Sequence, residues 1–241
     1  MRTFVISDAH GYPELIENAL CHGGFDPLCD AFVYAGDLLD RGSDPEGCIG
    51  LVERYATEVL VGDHELAVLL DLDIYPQNPE SPAFRPFFTE RVLTAGQSHA
   101  WKVAACVEGV LITHAGVSSH YDRVFQKECQ ANPVRLANCL NTAFLALVKR
   151  EPRVNDWDDH GMLDEDGVFW FRPQPYSHLL PLAGTKQLAG HTPPVSSLEA
   201  IGFYMIDPCA FERMDDPGRY RYAVIEAGRV RIEEGTSRGA R

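Results

Sequence analysis

Five times in this chain, a short apolar run rich in β-branched residues ends in a glycine-bearing turn that carries Asp or His. RTFVIS precedes Asp8-Ala9-His10-Gly11, AFVYA precedes Gly36-Asp37-Leu38-Leu39-Asp40-Arg41-Gly42, and TEVLV precedes Gly62-Asp63-His64-Glu65. VEGVLIT precedes His114-Ala115-Gly116, and KQLA precedes Gly190-His191-Thr192. Runs of this length read as buried strands, and glycine lets the backbone turn tightly after them. In an α/β sheet the carboxyl ends of the strands converge on one rim, where ligands bind. A lone strand-end histidine is ordinarily a satisfied surface group. Five such clusters in series are not explained that way.

The segments between the runs support an α/β fold. Gly11-Tyr12-Pro13 opens a helix continuing to Leu20, with proline in its first turn. Asp44-Pro45-Glu46 has the composition of an N-cap and starts a helix to about Tyr55. Residues 65–72 form the third helix. This β-loop-α repetition argues for an α/β sheet. Residues 76–86 (PQNPESPAFRP) hold four prolines and read as a loop or linker inside the domain, over one face. Residues 87–106 read as helical and 107–113 as one strand. Residues 133–149 have helical spacing, with Leu136, Leu140, Phe144 and Leu147 on one side as ordinary core. From residue 187 the texture changes to short strands, and RYRYAVIE-AG-RVRIEE reads as a terminal hairpin. Residues 236–241 read as a frayed tail.

Composition narrows the function classes. The 241 residues suit one domain, here taken as 1–235 with helical or loop insertions at about 74–106 and 118–167. No apolar run approaches the roughly 18 residues of a membrane span, and MRTFVISDAHG reads as a strand entering a loop, not a secretory leader. Net charge is −14, which argues against stable nucleic-acid binding. Seven cysteines without a CxxC pair point to reduced thiols and a cytoplasmic location. An acidic chain that handles phosphorylated substrates needs a local positive centre, and bound metal ions would supply one.

With GDLLDRG as its most specific element, and with DAHG, GDHE, THAG and GHTP in family order, the chain resembles the calcineurin-like metallophosphoesterases over about residues 3–207. It is closest to the branch of phosphoprotein phosphatases and bacterial symmetric dinucleoside tetraphosphatases. The resemblance implies a four-layer α/β/β/α sandwich of two mixed sheets flanked by helices. It implies a first metal on Asp8 and His10, a bridging Asp37, and a second metal on Asp63, His114 and His191. His64 matches the catalytic histidine, Asp40 its carboxylate partner and Arg41 a phosphate-binding arginine. The implied cofactors are two divalent ions, Mn²⁺ first, with Fe or Zn as alternatives; a mixed His/carboxylate set suits these better than Mg or Ca.

The implied reaction is hydrolysis of phosphate monoesters or phosphoanhydrides by direct attack of a metal-bridging hydroxide. The partner would be a phosphorylated small molecule, dinucleotide or phosphoprotein. Arg172, in FWFRP, is the candidate second arginine on the phosphate, against a surface arginine stacked on Trp170. Glu65 reads as a helix N-terminal carboxylate. WDDHG, at 157–161, reads as part of a solvated acidic loop. His22, His99, His120 and His178 receive no role.

The chain departs from the family at Asp63, where Asn is usual. Asn offers an oxygen to metal and an NH₂ to phosphate, whereas an ionised carboxylate only accepts. The alternative function is therefore a catalytically weakened, metal-dependent phosphate-binding or regulatory protein.

Overall fold

The computed structural model describes residues 1–94, 100–124, 132–149, 161–173, 178–208 and 219–236. His99, Cys129, Cys209, residues 157–160 of the WDDHG stretch and the tail at 237–241 lie outside them.

Two β-sheets form the centre. The first has the order β3-β2-β1-β8-β9, with β1 (Thr3–Ile6), β2 (Ala31–Ala35) and β3 (Glu58–Leu60) parallel. The terminal hairpin of β8 (Arg219–Glu226) and β9 (Arg229–Thr236) completes that sheet by running antiparallel to β1. The second sheet has the order β4-β5-β6-β7, from β4 (Ala104–Val107), β5 (Val110–Thr113), β6 (Gln187–Ala189) and β7 (Phe203–Met205).

Strand alternation assigns the layers. Val5, Val33, Ala35, Val110, Ile112, Leu188 and Ala223 share one buried cluster between the sheets. Their neighbours Phe4, Ile6, Phe32, Tyr34 and Leu111 turn the other way, into the cluster that includes the helix residues. Helices α1 (Pro13–Gly23) and α2 (Pro45–Tyr55) contribute Leu15, Ile16, Cys48 and Val52 to that layer. Helix α3 (Asp63–Leu70) follows β3, and α4 (Arg85–Leu93) packs on α3. Helix α5 (Pro133–Lys149) lays Leu136, Leu140 and Phe144 against β4 and β5, as core. The α/β/β/α sandwich is thus the observed architecture.

Two local expectations need correction. Residues 104–106 are strand, not helix, and 107–113 is not one strand. Glu108 and Gly109 take left-handed backbone (φ 48° and 81°) and fold β4 back on β5 as a hairpin. The apolar run conceals the turn because Glu-Gly interrupts it for only two residues. In addition, the proline-rich segment contains a 3₁₀ turn (Ser81–Phe84) that leads directly into α4.

Candidate metal centre

The turns after β1, β2, β3, β5 and β6 meet at one rim. Backbone bonds stitch the first two together: Asp8 donates to the Gly36 carbonyl (2.9 Å), His10 to Asp37 (3.0 Å) and Gly11 to Leu38 (2.8 Å). Among the described residues, nine non-glycine residues hold left-handed backbone, and six of them are Asp8, His10, Asp37, Asp40, Arg41 and His191. Asp and His tolerate this region better than most residues, yet each still costs about 1–3 kcal/mol. The surrounding structure must overdetermine these turns.

Two buried side chains do so. Glu65, at the third position of α3, accepts four backbone N–H groups. Its Oε1 takes Leu38 (2.7 Å) and Leu39 (3.3 Å), and its Oε2 takes Asp37 (2.8 Å) and Gly62 (2.9 Å). Burial, with the Asp37 charge adding to it, pushes the Glu65 carboxyl up to about 7, and the N–H donors act in the opposite sense. Tyr34 is the second: its hydroxyl accepts the Ala9 N–H (3.0 Å) and donates to the Asp37 carbonyl (2.9 Å). Glycine is required where turns touch. A Cβ on Gly62 would lie 2.1 Å from Asp37 Oδ1, and one on Gly190 would lie 2.1 Å from Asp8 Oδ2.

The side chains form two buried sets. Asp37, Asp63, His114 and His191 each offer a ligand atom within 4.8 Å of the others, and so do His10, Asp37 and His64. Asp37 belongs to both. Neither set includes Asp8, whose two oxygens accept the His191 N–H at 3.0 and 3.1 Å. Burial raises Asp8 to about 6, against the opposing effect of His114. Burial and the Asp63 charge push Asp37 upward, but His114, His64 and His10 prevail and hold it at about 2.

The histidine tautomers test whether cations fit. His10 Nδ1 donates to the Leu39 carbonyl (2.7 Å), which leaves Nε2 facing Asp37 Oδ2 at 3.2 Å. His114 Nδ1 donates to the Ala35 carbonyl (3.0 Å). Its Nε2 then meets Asp63 Oδ1 at 3.1 Å, Asp37 Oδ2 at 3.6 Å and His191 Nδ1 at 3.2 Å. A ring whose Nδ1 is tied to a carbonyl presents an Nε2 lone pair, the usual arrangement behind a metal-ligating histidine. Lone pairs facing carboxylates repel unless positive charge lies between them. Burial opposes charging of His114, yet Asp37 and Asp63 raise its pKa well above the ordinary value. One proton there cannot serve three acceptors. His191 Nε2 is buried and has no hydrogen-bond partner. These residues fit divalent cations.

His64 sits beside this cluster. Its Nδ1 bonds Asp40 Oδ2, and its ring stands 4.8 Å from that of His10, nearly perpendicular. Burial lowers the His64 pKa, but Asp37, the Asp40 bond and Asp63 outweigh it and lift it to about 9. Asp40 Oδ1 accepts the Asn78 N–H (2.7 Å) and the Ser81 hydroxyl (2.5 Å). Burial alone would raise Asp40; the His64, Ser81 and Asn78 bonds hold it below the usual range. Arg41 is half-buried in the turn after β2, and exposed Arg172 donates to the His191 carbonyl (3.2 Å) and Thr192 Oγ1 (3.4 Å).

Sequence reasoning missed the roles of Glu65, Tyr34, Asn78 and Ser81. Glu at the third helical position after Gly62 is a capping signal, but capping predicts a bond to Gly62 and not to the Asp37 turn. For Ser81 no local signal exists.

A sequence model described as calcineurin-like phosphoesterase matches residues 1–212. A serine/threonine-protein phosphatase 1 from Salmonella typhimurium is 36% identical over 66 residues, covering 27% of this chain and 31% of the relative. A symmetrical bis(5'-nucleosyl)-tetraphosphatase from Glaesserella parasuis is 25% identical over 135 residues, covering 54% of this chain and 50% of the relative. The chain thus spans half or less of these relatives. The crystal structure of a cold-active protein-tyrosine phosphatase from a Shewanella species superposes with a TM-score of 0.62 at 15% identity. That superposition covers 98% of this chain and 80% of the other.

Proposed function

Since the chain belongs to the calcineurin-like phosphoesterase family, we propose that it is a metal-dependent hydrolase of phosphate monoesters or phosphoanhydrides. The observation that carries this reading is the pair of Nδ1-anchored histidines, His10 and His114, whose Nε2 atoms face the carboxylates of Asp37 and Asp63. His10 and Asp8 would hold one ion, Asp63, His114 and His191 the other, with Asp37 between them. Divalent ions there, Mn²⁺ or alternatively Fe or Zn, would supply positive charge to the phosphoryl oxygens and lower the pKa of water.

The chain's own residues do the rest. Arg41 and Arg172 fix the phosphate by charge-assisted hydrogen bonds. His64 gives a proton to the leaving oxygen, and Asp40 orients the ring. Asp37 is already ionised and needs no deprotonation to bind a cation. The substrate is a phosphoprotein, a dinucleoside polyphosphate or a small phosphomonoester, in keeping with the two named relatives. Among the described residues no helix is long and apolar enough to cross a membrane, and we assign the protein to the cytoplasm, without a membrane or stable nucleic-acid partner.

Asp63 supports one rival, a metal-dependent phosphate-binding regulator, because it lacks the amide donor. Hydrolysis of p-nitrophenyl phosphate by the purified chain, with Mn²⁺ and then with chelator, separates the two. Turnover that requires the metal supports the hydrolase. Metal binding without turnover supports the regulator.

A further inference from the structure

Asp40 is held from three places in the chain. Oδ2 meets His64 Nδ1, while Oδ1 takes the Ser81 hydroxyl and the Asn78 N–H. Asp40 and Ser81 are both buried, at 1% and 3% exposure. The segment bearing Asn78 and Ser81 is anchored at each end. Asn78 Nδ2 donates to the Gly42 carbonyl (3.3 Å), in the same turn as Asp40 and Arg41. Arg85, just past the 3₁₀ turn, donates through Nε to the Val68 carbonyl (2.7 Å) and pairs with Asp71. Val68 lies on α3, the helix that begins with Asp63 and His64. Ser81 and His64 therefore ride on one frame.

We propose that Ser81, with the Asn78 N–H, is a positioning residue for proton delivery by His64. This rests on the phosphohydrolase reading above. A carboxylate turned about its Cβ–Cγ bond presents either oxygen to a neighbour. Two donors on Oδ1 fix that rotation, so Oδ2 alone faces the imidazole. An acceptor-only carboxylate is required to satisfy all three donors, so Asp40 stays ionised throughout. With Nδ1 committed to Asp40, Nε2 is the nitrogen that carries the transferable proton. As the phosphorus–oxygen bond to the leaving group breaks, that proton passes from Nε2 to the departing oxygen and the imidazole becomes neutral. The proline-rich segment thus reaches Asp40 through Asn78 and Ser81.

The test compares Ser81→Ala, Ser81→Val and Ser81→Thr in the full chain with Mn²⁺, since Val and Thr match in shape and differ by the hydroxyl. Two substrates are used: p-nitrophenyl phosphate, whose leaving group departs readily without a proton, and phenyl phosphate, whose leaving group needs one. We expect Ala and Val to lower kcat on phenyl phosphate about tenfold, the scale of one hydrogen bond to a charged group. KM and p-nitrophenyl phosphate turnover should change little, and Thr should restore the loss. The far-downfield Nδ1–H proton resonance of His64, read without substrate on the diamagnetic Zn²⁺-loaded protein, should move upfield in Ala and Val and return in Thr. Equal losses on both substrates, with Thr no better than Val, would overturn the proposal. So would Ala and Val variants matching the parent in both turnover and resonance. If the parent hydrolyses neither substrate, the phosphohydrolase reading fails, while the resonance still decides whether Ser81 orients the dyad.

Discussion

The Glu65 carboxylate accepts the backbone N–H of Asp37 at 2.8 Å, so a side chain at the start of α3 holds the backbone of Asp37 after β2. The same oxygen takes Gly62, and its partner oxygen takes Leu38 and Leu39. One buried carboxylate thereby locks the turn at Asp37 and the turn at Gly62 in register.

Glu65→Gln tests this lock. The amide NH₂ must face backbone N–H groups it cannot accept from, leaving one or two buried donors unsatisfied at about 1–3 kcal/mol each. We expect a loss of about 3 kcal/mol, which for a chain of this size lowers Tm by roughly 6–12 °C in calorimetry. An unchanged melting temperature would remove Glu65 from this role.

His64→Ala separates proton donor from ligand. Loss of a general acid reduces rate by about 10²–10⁴-fold, and we expect kcat to fall in that range with two metal ions per chain retained by elemental analysis. His64 shares a buried set with His10 and Asp37, so loss of one ion from the variant would reassign it as a ligand.

Asp63→Asn replaces a carboxylate that lies 3.1 Å from His114 Nε2. Removing one negative charge should weaken Mn²⁺ binding on the order of tenfold, since affinity follows ligand charge. The restored amide donor should raise kcat at saturating Mn²⁺. Titration calorimetry and steady-state kinetics read the two effects separately, and a variant with tighter metal binding or lower kcat contradicts the account.

Gly190→Ala probes the close approach of two turns. The added methyl would lie 2.1 Å from Asp8 Oδ2, so Asp8 must leave the His191 N–H or the turn must shift. Overpacking of this kind costs about 1–3 kcal/mol. We expect a lower Tm and weaker metal binding in the variant. Parent-like values in both would mean that the turn relaxes freely.

Much of the site was legible because its signals are local. An apolar run followed by glycine and an Asp or His specifies a buried strand and a tight polar turn within ten residues of chain, and all five such turns reach the rim. Asp37, Asp63, His114 and His191 enter the same buried set although their turns follow β2, β3, β5 and β6, drawn from both sheets. The same local logic failed where two residues reverse the chain. Glu108 and Gly109 turn an apparent single strand into a hairpin, and their small sequence footprint hides it.

The tertiary structure alone decided the rest. Hydrophobic periodicity marks the final hairpin, but only the packing of Ala223 and Ile225 against the inter-sheet core places β8 beside β1. Tyr34 and Glu65 read as core and cap from their neighbours in sequence, yet they bind turns brought near them by the sheet. Ser81 lies 41 residues from Asp40, in a stretch whose prolines say only that no regular ladder forms there. Sequence determines which residue types end each strand, because that depends on local backbone and burial preferences. Which buried donor meets which carboxylate depends on contacts across the fold.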